Sequence, residues 1–256
     1  MRALVTGGGA RLGAAMAVHL ARSGHDVAVH YNTGAEGARE TAAAVEAAGR
    51  RAATLRADLL DLDACEALVP RAAEALGGPL TVLVNNASIF EHDTVATATR
   101  ESFDRHIGSN LRAPLILTQA FAAQAGEAGS DGEPFATANI VNMIDQRVRK
   151  LTPEFMTYTL AKAALWTLTQ TSAQALAPRV RVNAIAPGTT LRGSRQSVAH
   201  FEAQRRGSVL ERGANIEDIT AALDYILGAK ALTGQLLCVD GGQHLGWRTP
   251  DVRGVE

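Results

Sequence analysis

Short apolar runs recur along the chain at 3–6, 26–30, 51–56, 81–84, 139–143, 179–185 and 235–239. Each is too short for a helix and lacks the strict polar alternation of a half-exposed strand. Each therefore reads as a strand covered on both faces, as in a parallel sheet. The segments between them carry helical spacing, at Ala10–Arg22, Glu36–Ala48, from near Leu62, Glu101–Gln124, Pro153–Leu176 and Ile216–Leu227. Strands that alternate with helices predict an α/β fold, a doubly wound parallel sheet of about seven strands with right-handed crossovers.

A length of 256 residues suits one such unit, and no repeat, linker or composition break divides residues 1–256. Hydrophobic residues make up 46% of the chain and aromatic residues 4%, so aliphatic and small side chains must fill the core. A formal net charge of −1 gives no electrostatic reason to bind nucleic acid or an anionic membrane, which leaves a small molecule as the expected partner. The chain opens directly on a strand and no run reaches the ~18 apolar residues of a membrane span, so a cytoplasmic location is expected. Cys65 and Cys238 lie far apart, without a C-x-x-C or histidine-rich neighbourhood. Both are read as buried structural thiols, with no metal site.

The chemistry is expected between Ile140 and Lys162. Tyr158 and Lys162 stand four residues apart, so on a helix their side chains share one face. A neighbouring ammonium favours phenolate, so Lys162 is expected to lower the Tyr158 pKa. The run Asn139-Ile-Val-Asn-Met143 is a buried strand, and Asp145 follows at its carboxyl end, where open α/β sheets bind ligands. From Asp145 to Tyr158 is 158 − 145 = 13 residues.

A glycine-rich turn, Thr6-Gly7-Gly8-Gly9-Ala10-Arg11-Leu12-Gly13, joins the first strand to a helix whose N-terminal amides suit a pyrophosphate. The second strand ends in His30-Tyr31-Asn32-Thr33, without the carboxylate that would hold an unphosphorylated ribose and repel a 2′-phosphate.

These motifs, with Asn85-Asn86-Ala87-Ser88, resemble the short-chain dehydrogenase/reductases over the whole chain. That resemblance implies a single Rossmann-type domain and an oxidoreductase using NADPH. It makes Tyr158, Lys162 and Asn110 catalytic, with Asp145 standing where the family has serine. Gly7, Gly9, Arg11 and Leu12 would line the pyrophosphate. His30, Tyr31, Asn32 and Thr33 would meet the adenosine ribose, where relatives often carry an Arg near Thr33. Asp58 and Leu59 would flank the adenine, unless Asp58 caps the helix near Leu62. Asn86, Ala87, Ser88, Pro187, Gly188 and Thr189 would line the nicotinamide end with Tyr158 and Lys162.

Departures from the family pattern narrow the resemblance. Arg11 replaces the middle glycine of the turn, Ser88 replaces glycine after Asn-Asn-Ala, and Phe90 and Asp145 follow strand ends. All four are similar to pteridine reductases and dihydromonapterin reductases. An ionised carboxylate only accepts hydrogen bonds and would repel a developing alkoxide, so Asp145 suits a nitrogen heterocycle better than a ketone. Arg11, Ser88, Phe90, Asp145 and Tyr158 are then the substrate-binding set, with Phe90 stacking a flat pterin on the nicotinamide. Two other readings are a reductase of a ketone or 3-oxoacyl substrate, and a non-catalytic NADP-binding sensor. The resemblance also implies a substrate lid at about 190–212, whose Arg192, Arg195, Arg205, Arg206 and Arg212 are read as a solvated face, and a homotetramer. The stretch Gly126–Pro134 is read as a flexible acidic loop without function.

Overall fold

The computed structural model describes residues 1–193 and 196–247. In chain order the first half comprises β1 (Arg2–Val5), α1 (Arg11–Arg22), β2 (Asp26–Tyr31), α2 (Ala35–Ala47), β3 (Ala52–Arg56), α3 (Leu62–Leu76) and β4 (Val82–Asn85). There follow α4 (Arg100–Ile107), a π-helical turn (Gly108–Arg112), α5 (Ala113–Gln124), a small hairpin of β5 (Gly129–Ser130) and β6 (Pro134–Phe135), and β7 (Ala138–Met143). The chain continues through α6 (Met156–Leu176), β8 (Val180–Pro187), α7 (Val198–Arg206), α8 (Ile216–Gly228) and β9 (Leu236–Val239). The main sheet runs β3-β2-β1-β4-β7-β8-β9, with every pair parallel. Its order reverses between β1 and β4, which opens a crevice at their carboxyl ends.

Period two decides which face each strand residue covers. Leu4, Ala28, Leu83 and Ile140 bury themselves on one face, with Leu68, Leu117 and Phe121 of α3 and α5. Their neighbours Val5, Val29, Val84 and Val141 face the other side, with Met16 and Leu20 of α1 and Leu223 and Ile226 of α8. Both sets are closed to solvent, which explains why the strands read as unbroken apolar runs.

Several sequence expectations need correction. The helix at 101–124 is interrupted by the π turn, which inserts one residue and rotates the following face. The helix expected from Pro153 begins at Met156, after Phe155 takes a left-handed conformation with φ 57°. Asp61, not Asp58, caps α3, accepting the Ala64 N–H at 3.2 Å. The acidic loop holds the β5–β6 hairpin, and the segment 190–212 holds α7, capped by Ser197. Cys65 is buried, with its thiol pushed up to about 11, but Cys238 is only half-buried. Arg195 lies outside the described residues. Among them, no helix is long and apolar enough to cross a membrane.

One buried cation ties the sheet to its last helix. Arg181, in β8, is 6% exposed and donates to the carbonyls of Ile226, Leu227 and Leu232 at 2.8, 2.9 and 2.8 Å. It thereby satisfies acceptors at the C-terminal end of α8 that the helix itself cannot pair. Arg181→Ala strands the Ile226 and Leu227 carbonyls, while Leu232 keeps its bond from Asn183, and a loss of about 3 kcal/mol in unfolding free energy is expected from denaturant titration. A loss below about 0.5 kcal/mol would mean that water replaces the guanidinium without difficulty.

Candidate active site

A cleft of about 710 Å³ runs along the carboxyl ends of the strands, from Asn32 and Asp58 to Phe90 and Gln243. At one end the chain doubles back from β1 into α1. Gly7 takes φ +61°, and a Cβ on Gly13 would meet the Gly7 carbonyl at 2.2 Å and Asn86 Nδ2 at 2.5 Å. The turn is therefore packed to contact without side chains, and Gly7, Ala10, Arg11, Leu12 and Gly13 line the cleft. Ala10, at the N-cap of α1, supplies no capping side chain. A helix start left in this condition is suited to an anion.

Several predicted residues do something other than expected at this end. His30 lines the cleft, but its ring also ties the turn, accepting the Gly7 N–H on Nδ1 at 3.0 Å and facing the Ala57 carbonyl from Nε2 at 3.1 Å. Burial holds its pKa below the ordinary histidine value. Gly9 does not line the cleft; a Cβ there would strike Ala38 N of α2 at 2.9 Å, so this glycine serves helix packing. Tyr31 packs half-buried into the core and Thr33 is exposed beyond the rim, leaving Asn32 as the cleft residue of that trio. Asp58 lines the cleft and accepts the Leu60 N–H at 3.0 Å. Leu12 and Leu59 both line it. Arg11, at φ 52°, donates to the carbonyls of Leu191 and Arg192 at 3.0 Å each, fastening the start of the 190–212 segment over the turn.

At the other end, β7 and α6 bring the acid, phenol and ammonium together. The Tyr158 hydroxyl donates to Asp145 Oδ2 at 3.0 Å. Asp145 Oδ1 accepts the Arg147 N–H at 2.9 Å, which fixes the carboxylate plane. Burial raises the Asp145 pKa, opposed by the Arg147 N–H and by the charges of Arg147 and Lys162. Tyr158 is raised well above the ordinary phenol value by burial and by the Asp145 charge, with Arg147 and Ser88 acting in the opposite sense. Lys162 is pushed down to about 8 by burial, and its Nζ donates to the Met143 carbonyl at 2.7 Å. The expectation that Lys162 lowers the Tyr158 pKa is thus overturned: the carboxylate touches the phenol while the ammonium is held by a carbonyl.

Phe90 is 44% exposed at the rim of the cleft, stacked on Phe155 with centroids 4.3 Å apart and edge-on to Tyr158 at 4.7 Å. Asn110 is fully buried in the π turn and does not line the cleft; its side chain pairs with both main-chain groups of Ile89. Asn86, Ala87, Ser88, Pro187, Gly188 and Thr189 line the cleft as expected. Of the arginines at 190–212, Arg205 is no solvated residue: it donates to the carbonyls of Thr189, Gly213 and Ala214 at 3.0, 3.1 and 2.7 Å. Sequence reasoning missed Arg147, Gln204 and Gln243, which also line the cleft. Gln243 Oε1 accepts the Thr189 N–H at 3.2 Å. No local pattern marks these residues, because each reaches the cleft from a different segment. Among the described residues, no group of three or more His, Cys, Asp or Glu could hold a metal ion.

A reversing parallel sheet, a side-chain-free turn before α1 and a Tyr/Lys helix face at the strand ends together describe a nucleotide-dependent oxidoreductase. The short chain dehydrogenase family model matches residues 1–203, and the chain belongs to that family. Among solved structures it is similar to FolM alternative dihydrofolate reductase 1 of Brucella suis, in complex with NADP. That match has 41% identity and TM-score 0.90 and covers 98% of each chain. The Brucella canis counterpart, complexed with NADP, is 40% identical with TM-score 0.88, over 99% of this chain and 98% of that one. Pteridine reductase 1 of Leishmania tarentolae is 30% identical over 283 residues, covering 95% of this chain and 96% of its own.

The chain has 3 tyrosines, so the titration of Tyr158 can be isolated by comparison with Tyr158→Phe. Replacing the carboxylate in Asp145→Asn removes the nearest negative charge, and the phenol is expected to ionise at lower pH in difference ultraviolet absorbance. An unmoved titration would show that burial alone sets the phenol.

Proposed function

We propose that the protein reduces a dihydropterin, of the dihydromonapterin, dihydrobiopterin or dihydrofolate type, to its tetrahydro form with NADPH. The observation that carries this reading is the carboxyl group of Asp145 at 3.0 Å from the Tyr158 hydroxyl, where ketone-reducing relatives offer serine. The sequence similarity to the Brucella reductases and to the Leishmania enzyme supports it.

The residues present suit the dinucleotide. Gly7 and Gly13 pack too closely for Cβ atoms and line the cleft beside the start of α1, which no side chain caps. Asn32 and Thr33 follow β2 without a carboxylate, so a 2′-phosphate meets no repulsion there. NADPH, when bound, supplies hydride to the electrophilic carbon of the substrate's C=N bond.

The ring nitrogen must gain a proton as that carbon gains hydride. Asp145, with its pKa raised by burial, retains a proton closer to neutrality than an ordinary carboxyl and can deliver it. Tyr158 donates to the same carboxyl, which connects a second proton to the path. The Lys162 ammonium, anchored on Met143, stabilises the negative charge left on Asp145 once its proton has gone. Phe90 provides an apolar face at the rim for a planar ring.

Steady-state NADPH oxidation with dihydrofolate, dihydrobiopterin and dihydromonapterin, against a panel of simple ketones, tests the proposal. Turnover of at least one dihydropterin is expected; consumption with ketones alone would overturn it. Asp145→Ala is expected to lower kcat by about 10²-fold or more while NADPH affinity stays within about twofold, since proton delivery is lost and the dinucleotide turn is untouched. Phe90→Ala is expected to raise the pterin KM about tenfold. A selective loss of NADPH binding instead would remove Phe90 from the substrate site.

A further inference from the structure

Phe90 sits in a loop that is gripped on both sides by one helical segment. On one side, Asn110 Oδ1 accepts the Ile89 N–H at 2.9 Å and Asn110 Nδ2 donates to the Ile89 carbonyl at 2.8 Å. On the other, the Glu91 N–H donates to His106 Nε2 at 3.1 Å. Both side chains are fully buried. The residue they bracket is the aromatic one at the rim of the cleft.

The grip by His106 has a defined proton direction. A main-chain N–H can only donate, so Nε2 of His106 carries no proton and a neutral ring must carry it on Nδ1. Nδ1 faces Thr157 Oγ1 at 2.7 Å, and the Thr157 hydroxyl in turn donates to Asp93 Oδ2. Asp93, 2% exposed, also accepts the Thr157 N–H on Oδ1 and the Ser102 hydroxyl on Oδ2, each at 3.1 Å. It thereby caps the first turn of α6 from outside the helix. The path Glu91–His106–Thr157–Asp93 joins the loop that carries Phe90 to the residue before Tyr158. The His106 ring also meets the Tyr158 ring edge-on, with centroids 6.0 Å apart.

We propose that His106 is a positioning residue of the active site, which sets Phe90 against Tyr158 and does so only as the neutral Nδ1–H tautomer. The proposal rests on the substrate-facing role given to Phe90 above. Asp93 and Glu91 on the loop, Arg105 on the same helix and Tyr158 on α6 surround the ring. Burial outweighs the two carboxylates and keeps the imidazole neutral. Protonation would aim an N–H at the Glu91 N–H, breaking one side of the grip while Asn110 holds the other.

Two variants separate the halves of the ring. His106→Asn keeps a donor near Thr157 and loses the acceptor for Glu91; His106→Gln reaches Glu91 and loses the donor. In His106→Asn, the dihydropterin KM is expected to rise about tenfold with kcat within about threefold and NADPH affinity unchanged. His106→Gln is expected to hold KM near that of the native enzyme. In the native enzyme KM should climb only as pH falls below the ordinary histidine value of 6.5, since burial holds the ring neutral down to that point, and in His106→Gln, which cannot protonate, it should not. Amide hydrogen exchange over residues 88–93 reads the same grip without substrate, and should accelerate in His106→Asn but not in His106→Gln. Equal effects of both variants on exchange and on thermal stability would overturn the proposal, making His106 an ordinary core residue. An unchanged pH profile in His106→Gln would overturn it too. Separation of the variants in exchange, with no dihydropterin turned over, would uphold the grip and reject the substrate reading instead.

Discussion

The chemistry of the cleft depends on one hydrogen bond, from the Tyr158 phenol to the Asp145 carboxyl. Two acids at this distance in a buried site cannot both carry charge near neutrality, because the second anion would face the first with little water between them. Burial acts on all three ionisable groups in the same sense, against the charged form: it moves the acid up, the phenol up and the ammonium down to about 8. The attraction between Asp145 and Lys162 opposes that drift for both partners. On balance Asp145 and Lys162 are both moved towards neutrality, as the proposed proton delivery calls for.

That hydrogen bond exists because of the sheet. β7 ends at Met143, and the chain turns so that Asp145 and the Met143 carbonyl both meet α6, whose one face carries Tyr158 and Lys162. The register is reinforced inside the layer: Asn85 donates to Asn142 at 2.8 Å, and Asn142 donates to Thr169 of α6 at 2.9 Å. These buried amides cross from β4 through β7 to the helix and leave little freedom for α6 to slide. At the opposite end of the cleft, close glycine contacts fix the turn by exclusion, with the His30 ring tied to the Gly7 N–H beneath it.

The fold was legible because a buried parallel strand has an unmistakable composition, and each expected run became a strand within a residue or two at its ends. The pairing of Asp145 with Tyr158 was legible too, since strand end and helix face are local properties. The role of Lys162 was not. Spacing places its side chain beside the phenol, but only the tertiary structure reveals the Met143 carbonyl that takes its proton donors. His30, Gly9 and Asn110 illustrate the same limit. Their contacts with Gly7, Ala38 and Ile89 run across the fold and leave no mark in local spacing. The π turn is a single-residue insertion within a helical pattern and leaves no periodic trace.

Two imidazoles do parallel work at the ends of the cleft. His30 accepts the Gly7 N–H beneath the glycine turn, and His106 accepts the Glu91 N–H beneath the Phe90 loop. In each the other ring nitrogen faces an acceptor, Ala57 O for His30 and Thr157 Oγ1 for His106. A neutral imidazole can accept at one atom and donate at the far side of a rigid ring, which lets it hold two separate segments at a fixed distance. Asn and Gln carry both functions on one small amide and cannot span the same gap. Burial, which keeps each ring uncharged, is therefore also what keeps each loop in place. The surface of the cleft is shaped in part by buried imidazoles, and its geometry is linked to their state of protonation.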